Sequence, residues 1–253
     1  MKAVRDTCLF FGRYGRQMLR NLVWVFVGLS TPLLYLALFT PLLRHLSGPG
    51  GFGGHEVLDQ FLPGILALTA FGNGMVLGFW VVFALQGGVI ERFRVTPVSR
   101  LSILLGPILF ATVAMFVSDI VFVGVGVGFG FSLHLVGLAV LAMLLGLLMV
   151  TVSAFSSALA LVTKDINSFA AVINGLNLPV LLLGGVLLPI SFGPLWLRVL
   201  AHFDPLYYVV AASRILAAGT LAATVVWQAF AVLVPLCMLT LVWATRVVRR
   251  AVA

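Results

Sequence analysis

Long apolar runs recur along this chain, and they limit its possible folds more than any other feature of the sequence. An α-helix needs about 20 apolar residues to cross a hydrocarbon core about 30 Å thick, and six runs here reach that length. Hydrophobic residues make up 62% of the 253 residues and charged residues only 9%, whereas a soluble domain has about 25% charged residues. We therefore predict an all-α integral membrane protein with six transmembrane helices, at residues 21–43, 61–85, 104–131, 135–161, 169–190 and 222–245.

Residues 1–20 are more polar than the runs that follow, and their charges fall on one side of a helix. Four arginines mark this basic face: Arg5, Arg13, Arg16 and Arg20. The pattern predicts an amphipathic helix that lies on an anionic membrane face, with membrane lipid as its partner. A signal-peptide n-region is the alternative, but the segment is long, the next run exceeds an h-region and no small-residue cleavage site stands out. Residues 21–253 would then form one six-span domain.

Lys and Arg are distributed unequally between the two sides that the six spans define. With the N-terminus inside, the inner segments hold five in the leader, three in residues 87–100, one at Lys164 and three in the tail, twelve in all. The outer loops hold only Arg44, Arg198 and Arg214. This positive-inside bias places both termini in the cytoplasm. It also explains the net charge of +8 without nucleic acid as a partner.

Residues 191–220, on the outer side, are too polar and proline-rich to span a membrane and too apolar for a free loop. Trp196, Tyr207 and Tyr208 are aromatic residues of the kind that settle at a membrane interface. We predict short re-entrant helices here, before the last span, that cap the outer end of the bundle.

Residues 87–100 form the densest charge cluster between apolar runs, with three arginines and Glu91. A charged side chain at bilayer depth costs about 2.5–3.5 kcal/mol, so this segment lies in water or at the lipid headgroups. Glu91 and Arg94 share a helical face, Thr96 is a suitable N-cap, and Pro97 suits the first turn of the next helix. We interpret the segment as a compact cytoplasmic projection that a partner can bind; an ordinary basic loop is the alternative.

Asp119 is the one carboxylate that falls within a predicted span. An ionisable residue inside a membrane indicates a proton relay or a cation site. The alternatives are a carboxylate near the headgroups or one that Ser118 and neighbouring helices satisfy with hydrogen bonds.

Two stripes of polar residues mark the fourth and fifth spans. The stripe of hydroxyls comprises Ser153, Ser156 and Ser157, and the stripe of amides comprises Asn167, Asn174 and Asn177. Such residues avoid lipid, so they line a wet pathway or form hydrogen bonds between helices.

Catalytic and cofactor motifs are missing from the sequence. None of the four histidines forms H-E-x-x-H, and no G-x-x-x-x-G-K-[ST] loop occurs. Residues 48–53 read G-x-G-x-x-G, but they follow a membrane span and open no βαβ unit. Cys8 and Cys237 lie far apart and predict neither a disulfide framework nor a metal cluster. We therefore predict no enzyme activity, no metal and no cofactor in this chain.

The motif Glu91-Arg92-Phe93-Arg94-Val95-Thr96-Pro97 resembles the cytoplasmic segment between spans two and three of the ABC type-2 membrane family, the permease subunits of bacterial exporters. The order of residues further along is also similar to that family: Asn174, Pro179, Gly185, Pro189, Pro194, Trp196, Pro205 and Arg214. Within that family, these residues most resemble those of daunorubicin-resistance-like drug permeases.

This resemblance implies a permease half that pairs with a second half, like or unlike, in the bacterial cytoplasmic membrane. Separate nucleotide-binding subunits, which hold ATP and Mg, would bind the coupling segment 87–100 and the leader helix. Coupling to the ATPase would fall to Glu91, Arg92, Arg94, Thr96 and Pro97. The cargo would be an amphipathic drug-like compound or a lipid.

Two other classes of function stay open. An ion-gradient-driven secondary transporter would use Asp119, and a non-transporting membrane scaffold would need no nucleotide-binding partner.

Overall fold

The computed structural model describes residues 2–20, 26, 28–30, 32–38, 56–88, 100–186, 190, 193–221 and 223–251. Within these ranges the chain is helical and contains no strand. In chain order the helices are α1 (Lys2–Arg20), α2 (Glu56–Gln86), α3 (Arg100–Gly128), α4 (Leu135–Thr163), α5 (Ile166–Leu183), α6 (Leu195–Ala201), α7 (Pro205–Ala217) and α8 (Thr224–Ala251).

Five of the described helices are long and apolar enough to cross a membrane: Phe61–Gln86, Ser102–Gly128, Leu135–Thr163, Ile166–Leu183 and Thr224–Arg250. They match five of the six predicted spans. The predicted first span, 21–43, lies largely outside the described residues, although residues 28–30 and 32–38 within it are helical.

Several helix boundaries differ from those of the predicted spans, among them the start of the second span and the end of the fifth. The helix of the second span begins at Glu56 and so takes in residues that looked like loop. The helix of the fifth span ends at Leu183, not at residue 190. It stops there because Gly184 and Gly185 form a turn in which Gly185 has a φ of 63°, a left-handed conformation that glycine adopts at little cost.

A two-residue turn connects α4 to α5. Lys164 adopts a left-handed conformation and donates its backbone N–H to the carbonyl of Ala160 at 3.0 Å. Asp165 caps α5 by accepting from the backbone N–H of Ser168 at 2.8 Å and from the Ser168 hydroxyl at 2.9 Å. These hydrogen bonds to the ionised carboxylate lower the pKa of Asp165.

A glycine seam holds α2 against α4. A Cβ on Gly74 would lie 2.8 Å from the Cβ of Val152, and a Cβ on Gly78 would overlap the hydroxyl oxygen of Ser156 and the ring of Phe169. Two small residues four positions apart let helix backbones approach this closely. The seam therefore fixes the two helices at a separation that larger side chains would prevent.

One end of the bundle carries most of the described basic residues, and we call it the basic end. There Leu104 near the start of α3, Leu161 near the end of α4 and Val248 near the end of α8 pack in one cluster. α1 lies beside this end, because Phe11 contacts the ring of Phe110 with centroids 5.5 Å apart. The exposed basic residues here are Arg5, Arg13, Arg16, Lys164, Arg246, Arg249 and Arg250.

The opposite end is closed by contacts between chain turns. Asp59 near the start of α2 accepts hydrogen bonds from the backbone N–H and the hydroxyl of Ser132 in the α3–α4 turn. His134 Nδ1 lies 3.1 Å from the carbonyl oxygen of Ala217 at the end of α7. The described spans thus alternate in direction between the two ends.

The segment predicted to contain re-entrant helices does form two short helices, α6 and α7. They differ in environment: Leu195, Trp196 and Val199 of α6 are exposed, whereas α7 packs against α2, α4 and α8. Many residues of α7 are buried, among them Val209 and Leu216. Their depth in a membrane stays a prediction.

Candidate functional site

The predicted coupling segment joins α2 to α3 at the basic end. Gly87 and Gly88 form a turn after α2, and α3 begins at Arg100. The candidate coupling residues Glu91, Arg92, Arg94, Thr96 and Pro97 lie outside the described residues. The structure describes the helices around both ends of this segment, and we call these helices the frame.

The leader helix is part of that frame. Phe10 of α1 is buried and packs where a Cβ on Gly106 of α3 would stand. Tyr14 stacks on Phe110 with centroids 6.4 Å apart, and burial raises the pKa of its phenol. α1 therefore stays beside the start of α3.

The predicted basic face of α1 points away from α3. Arg5, Arg13 and Arg16 are exposed, while the side chain of Arg20 lies outside the described residues. An amphipathic helix with this division is suited to a membrane surface, and its position on the membrane stays a prediction.

The three serines of the fourth span lie inside the bundle, and Ser156 faces α2. Ser153, Ser156 and Ser157 are all buried. The Ser156 hydroxyl donates to the carbonyl of Met75 at 2.7 Å and accepts from the backbone N–H of Gly78 at 3.1 Å. The hydroxyls of Ser153 and Ser157 have no hydrogen-bond partner among the described residues. Within one chain, Ser156 therefore connects α4 to α2 through hydrogen bonds.

The asparagines of the fifth span lie on a different surface. Only Phe169 and Ile173 of α5 are buried, whereas Asn167 and Asn174 are exposed and Asn177 is half-buried. The two polar stripes therefore do not meet as one wall within the described chain. α5 presents an outward face on which apolar side chains alternate with amides.

Asp119 lies well inside α3, about 28 Å along the helix from Arg100 at 1.5 Å per residue. Its side chain is 8% exposed, and neither carboxylate oxygen has a hydrogen-bond partner among the described residues. Ser118 does not satisfy it, because its hydroxyl donates to the carbonyl of Ala114 at 3.0 Å. Neither Ser118 nor any other described residue therefore satisfies Asp119.

Arg214 and Asp204 connect α7 to its neighbours. Arg214 donates from Nη2 to the carbonyls of Gly185 at 2.8 Å and Val186 at 3.2 Å, so it ties α7 to the turn that ends α5. Asp204 caps α7 by accepting from the backbone N–H of Leu206 at 3.0 Å. Burial raises the pKa of Asp204 to about 6.

Sequence reasoning missed several of these residues. The seam at Gly74 and Gly78 had a visible signal, since two glycines four positions apart stand within an apolar run. Asn73, which lies between two glycines on α2, was also visible as an amide inside a span. The cap at Asp204 had the signal of an acid directly before Pro205. The partners of Arg214 had none, because they follow from tertiary contacts alone.

An all-helical bundle with five long apolar helices, a leader helix at one end and a charged connector defines a multi-pass membrane protein. Residues 6–218 match the family described as ABC-2 type transporter. The chain therefore belongs to the ABC-2 type transporter family.

Relatives in three organisms support this assignment. Cyanophora paradoxa has a protein, ycf38, whose name describes it as a transport permease; it is 32% identical over 207 residues, which cover 79% of this chain and 70% of that protein. The ycf38 proteins of Pyropia yezoensis and Porphyra purpurea are 29% and 28% identical over 208 and 212 residues, covering 79% and 81% of this chain and 69% and 71% of theirs. This chain is thus similar to transport permeases.

Proposed function

We propose that this protein is the membrane permease subunit of an ATP-driven exporter, which moves an amphipathic drug-like compound or lipid out of the cytoplasm. The observation that carries the proposal is the family match over residues 6–218. The Glu91–Pro97 motif supports it, because this motif resembles the segment through which such permeases bind their motor. The chain has no ATPase motif of its own, so separate nucleotide-binding subunits, with their ATP and Mg, would supply the hydrolysis.

The geometry of the basic end supports a docking surface for such a motor. The connector 87–100 leaves α2 and enters α3 there, and α1 packs against the same part of α3. A subunit that grips the connector would therefore push on two spans and on the leader helix at once. The exposed arginines of α1 suit an anionic membrane face, which supports a cytoplasmic position in a bacterial cell for this end and for both termini.

The outward face of α5 supports pairing with a second permease half. Asn167 and Asn174 are exposed on a mainly apolar helix, and an amide that faces lipid leaves its hydrogen-bonding groups unsatisfied. A second copy, or an unlike half, would cover this face and enclose the asparagines between the two halves. The pathway would then run along α5 and not along the serines, which are buried inside the bundle.

The experiment that tests the motor is charge reversal in the connector. The motor subunit and Glu91→Lys permease are produced together, reconstituted in vesicles, and assayed for cargo-stimulated ATP hydrolysis. We expect the variant to remain in the membrane and to lose the stimulated activity. Glu56→Lys is the matched control, because it makes the same change at the opposite end of α2. Stimulated activity that survives Glu91→Lys would remove Glu91 from the mechanism.

Asp119 favours a second candidate function, an ion-gradient-driven transporter, since its buried carboxylate oxygens have no partner among the described residues. Transport that persists after ATP depletion and collapses with the proton gradient would favour this candidate. A membrane scaffold, the third class, would be favoured if no nucleotide-binding subunit co-purified with the protein.

A further inference from the structure

A cleft runs along the bundle between α1, α2 and α3, with Gly28 and Leu29 on one side. Its volume is about 240 Å³, larger than the about 150 Å³ of an engineered protein cavity that binds benzene. Most of the lining is apolar, and no charged side chain is among the described residues that line it. Residues that matter for its chemistry are Tyr14, Thr69, Asn73, Trp80, Ala114 and Ser118.

The polar groups of the cleft differ in how much of their hydrogen-bonding capacity is already used within the protein. The Thr69 hydroxyl donates to the carbonyl of Leu66 at 2.8 Å, and the Ser118 hydroxyl donates to the carbonyl of Ala114 at 3.0 Å. The donor of each hydroxyl is therefore used by its own helix, and only the oxygen lone pairs remain. The side-chain amide of Asn73 makes no hydrogen bond with any described residue, and it is exposed to the cleft.

Asn73 stands near the middle of its span. It is about 18 Å from Phe61 and about 20 Å from Gln86 along the helix, at 1.5 Å per residue. An amide at that depth has no water to bind, and leaving it unsatisfied in apolar surroundings is costly. The amide offers two donors and one acceptor to whatever fills the cleft.

We propose that this cleft binds an uncharged lipophilic compound with a hydrogen-bonding group, such as a carbonyl or hydroxyl, along its length. Asn73 forms a hydrogen bond with that group. The lack of lining charge and the cost of charge at mid-depth exclude an ionic ligand. A membrane phospholipid fits poorly, because its ester groups and headgroup lie at the interface, far from Asn73. The proposal concerns binding by this chain and does not depend on the proposed motor.

Trp80 lines the cleft and provides the reporter. The other four tryptophans, Trp24, Trp196, Trp227 and Trp243, are replaced by Phe, and the protein is reconstituted in vesicles. Two probes are compared: a long-chain ketone with its carbonyl at mid-chain and a terminal bromine, and the bromoalkane of equal length. Bromine quenches tryptophan fluorescence on contact, and both probes enter the bilayer, so the difference between them isolates the hydrogen bond.

We expect saturable quenching with the ketone bound about 3- to 10-fold more tightly than the alkane, the range that one net hydrogen bond gives. Asn73→Leu should make the two probes equal, and Asn73→Gln, which keeps an amide, should retain part of the preference. Ala114→Phe should fill the cleft and abolish saturable quenching. Val117→Phe is the matched control, because Val117 is 59% exposed on the same helix and the added ring would point to lipid.

Several results would overturn the proposal. Equal affinity for ketone and alkane in the parent protein would show that Asn73 receives no ligand group, and so would a preference that survives Asn73→Leu. Quenching that Ala114→Phe leaves intact would place the probes outside the cleft. Quenching that appears only when the protein is diluted in lipid would show that a second copy of the chain covers the cleft. Each variant is checked by gel filtration, and only variants that elute as the parent does are compared.

Discussion

The glycine seam between α2 and α4 makes a quantitative prediction for Gly78→Ala. The added Cβ would overlap the Ser156 hydroxyl and the Phe169 ring, and it would lie 2.8 Å from the backbone carbonyl oxygen of Ser156. Overpacking of this kind costs about 1–3 kcal/mol, and displacement of Ser156 loses hydrogen bonds that contribute about 0.5–1.5 kcal/mol each. The gain in helix propensity from Gly to Ala, about 1 kcal/mol, offsets only part of this.

We therefore expect Gly78→Ala to destabilise the protein by about 1–3 kcal/mol, which corresponds to a fall in Tm of about 3–10 °C for a chain of this size. Gly72→Ala is the matched control on the same helix. A Cβ on Gly72 meets nothing within 4 Å, so that variant should unfold at the parental temperature or slightly above it.

The assay uses the two cysteines of the chain. Cys8 is exposed and Cys237 is buried, so a Cys8→Ser background leaves one thiol that a fluorogenic maleimide reaches only on unfolding. Heating in detergent then reports Tm for each variant. Adding Ser156→Ala to Gly78→Ala should recover part of the loss, giving a double variant that is more stable than the sum of the single effects predicts. If Gly78→Ala and Gly72→Ala unfolded at the same temperature, the seam would not be the close contact that we describe.

Three further predictions concern charge, pairing and orientation. The carboxyl of Asp204 has a pKa of about 6 in the folded protein against 3.8 for the free group. Between these pH values the folded state holds a proton that the unfolded state has released, so the stability of the protein should fall as pH rises through this window. Asp204→Asn keeps the cap and should lose that part of the pH dependence of Tm. In a cysteine-free background, Asn174→Cys should form an oxidised dimer in native membranes and Met143→Cys, which is 67% exposed on α4, should not; equal cross-linking would contradict pairing through α5. Cys8 should react with a membrane-impermeant thiol reagent only after cells are permeabilised, and labelling of intact cells would place the leader helix outside.

The sequence predicts the spans well because their signal is additive. Each run needs only enough apolar residues to match the hydrocarbon thickness, and no partner helix is required to see it. The boundary errors arise where conformation decides the end of a helix: Gly184 and Gly185 look like small span residues, but the left-handed φ of Gly185 stops the helix at Leu183. The alternation of helix directions also needs no tertiary information, because short connections join most of the consecutive described spans.

The roles of polar residues inside the spans depend on what each helix face meets. The serines and the asparagines look equivalent as stripes of polar residues, yet Ser156 is buried against the backbone of Gly78 and Asn174 is exposed. Only the close approach at the seam distinguishes them, and that approach is a property of two helices far apart in sequence. The same holds for Asp119, whose burial without a described partner could not be read from the neighbouring Ser118.

α2 links the proposed motor to the face proposed for pairing. It extends about 46 Å at 1.5 Å per residue, from the opposite end of the bundle to the connector at the basic end, and the seam with α4 makes the two helices one body. At its far end a Cβ on Gly64 would lie 2.8 Å from the carbonyl oxygen of Val186, and Arg214 holds that same carbonyl at 3.2 Å. Closely packed helices shift as rigid bodies and do not deform continuously. A displacement of the connector would therefore reach the turn at which α5 ends, and it would move the asparagine face of each half relative to the other.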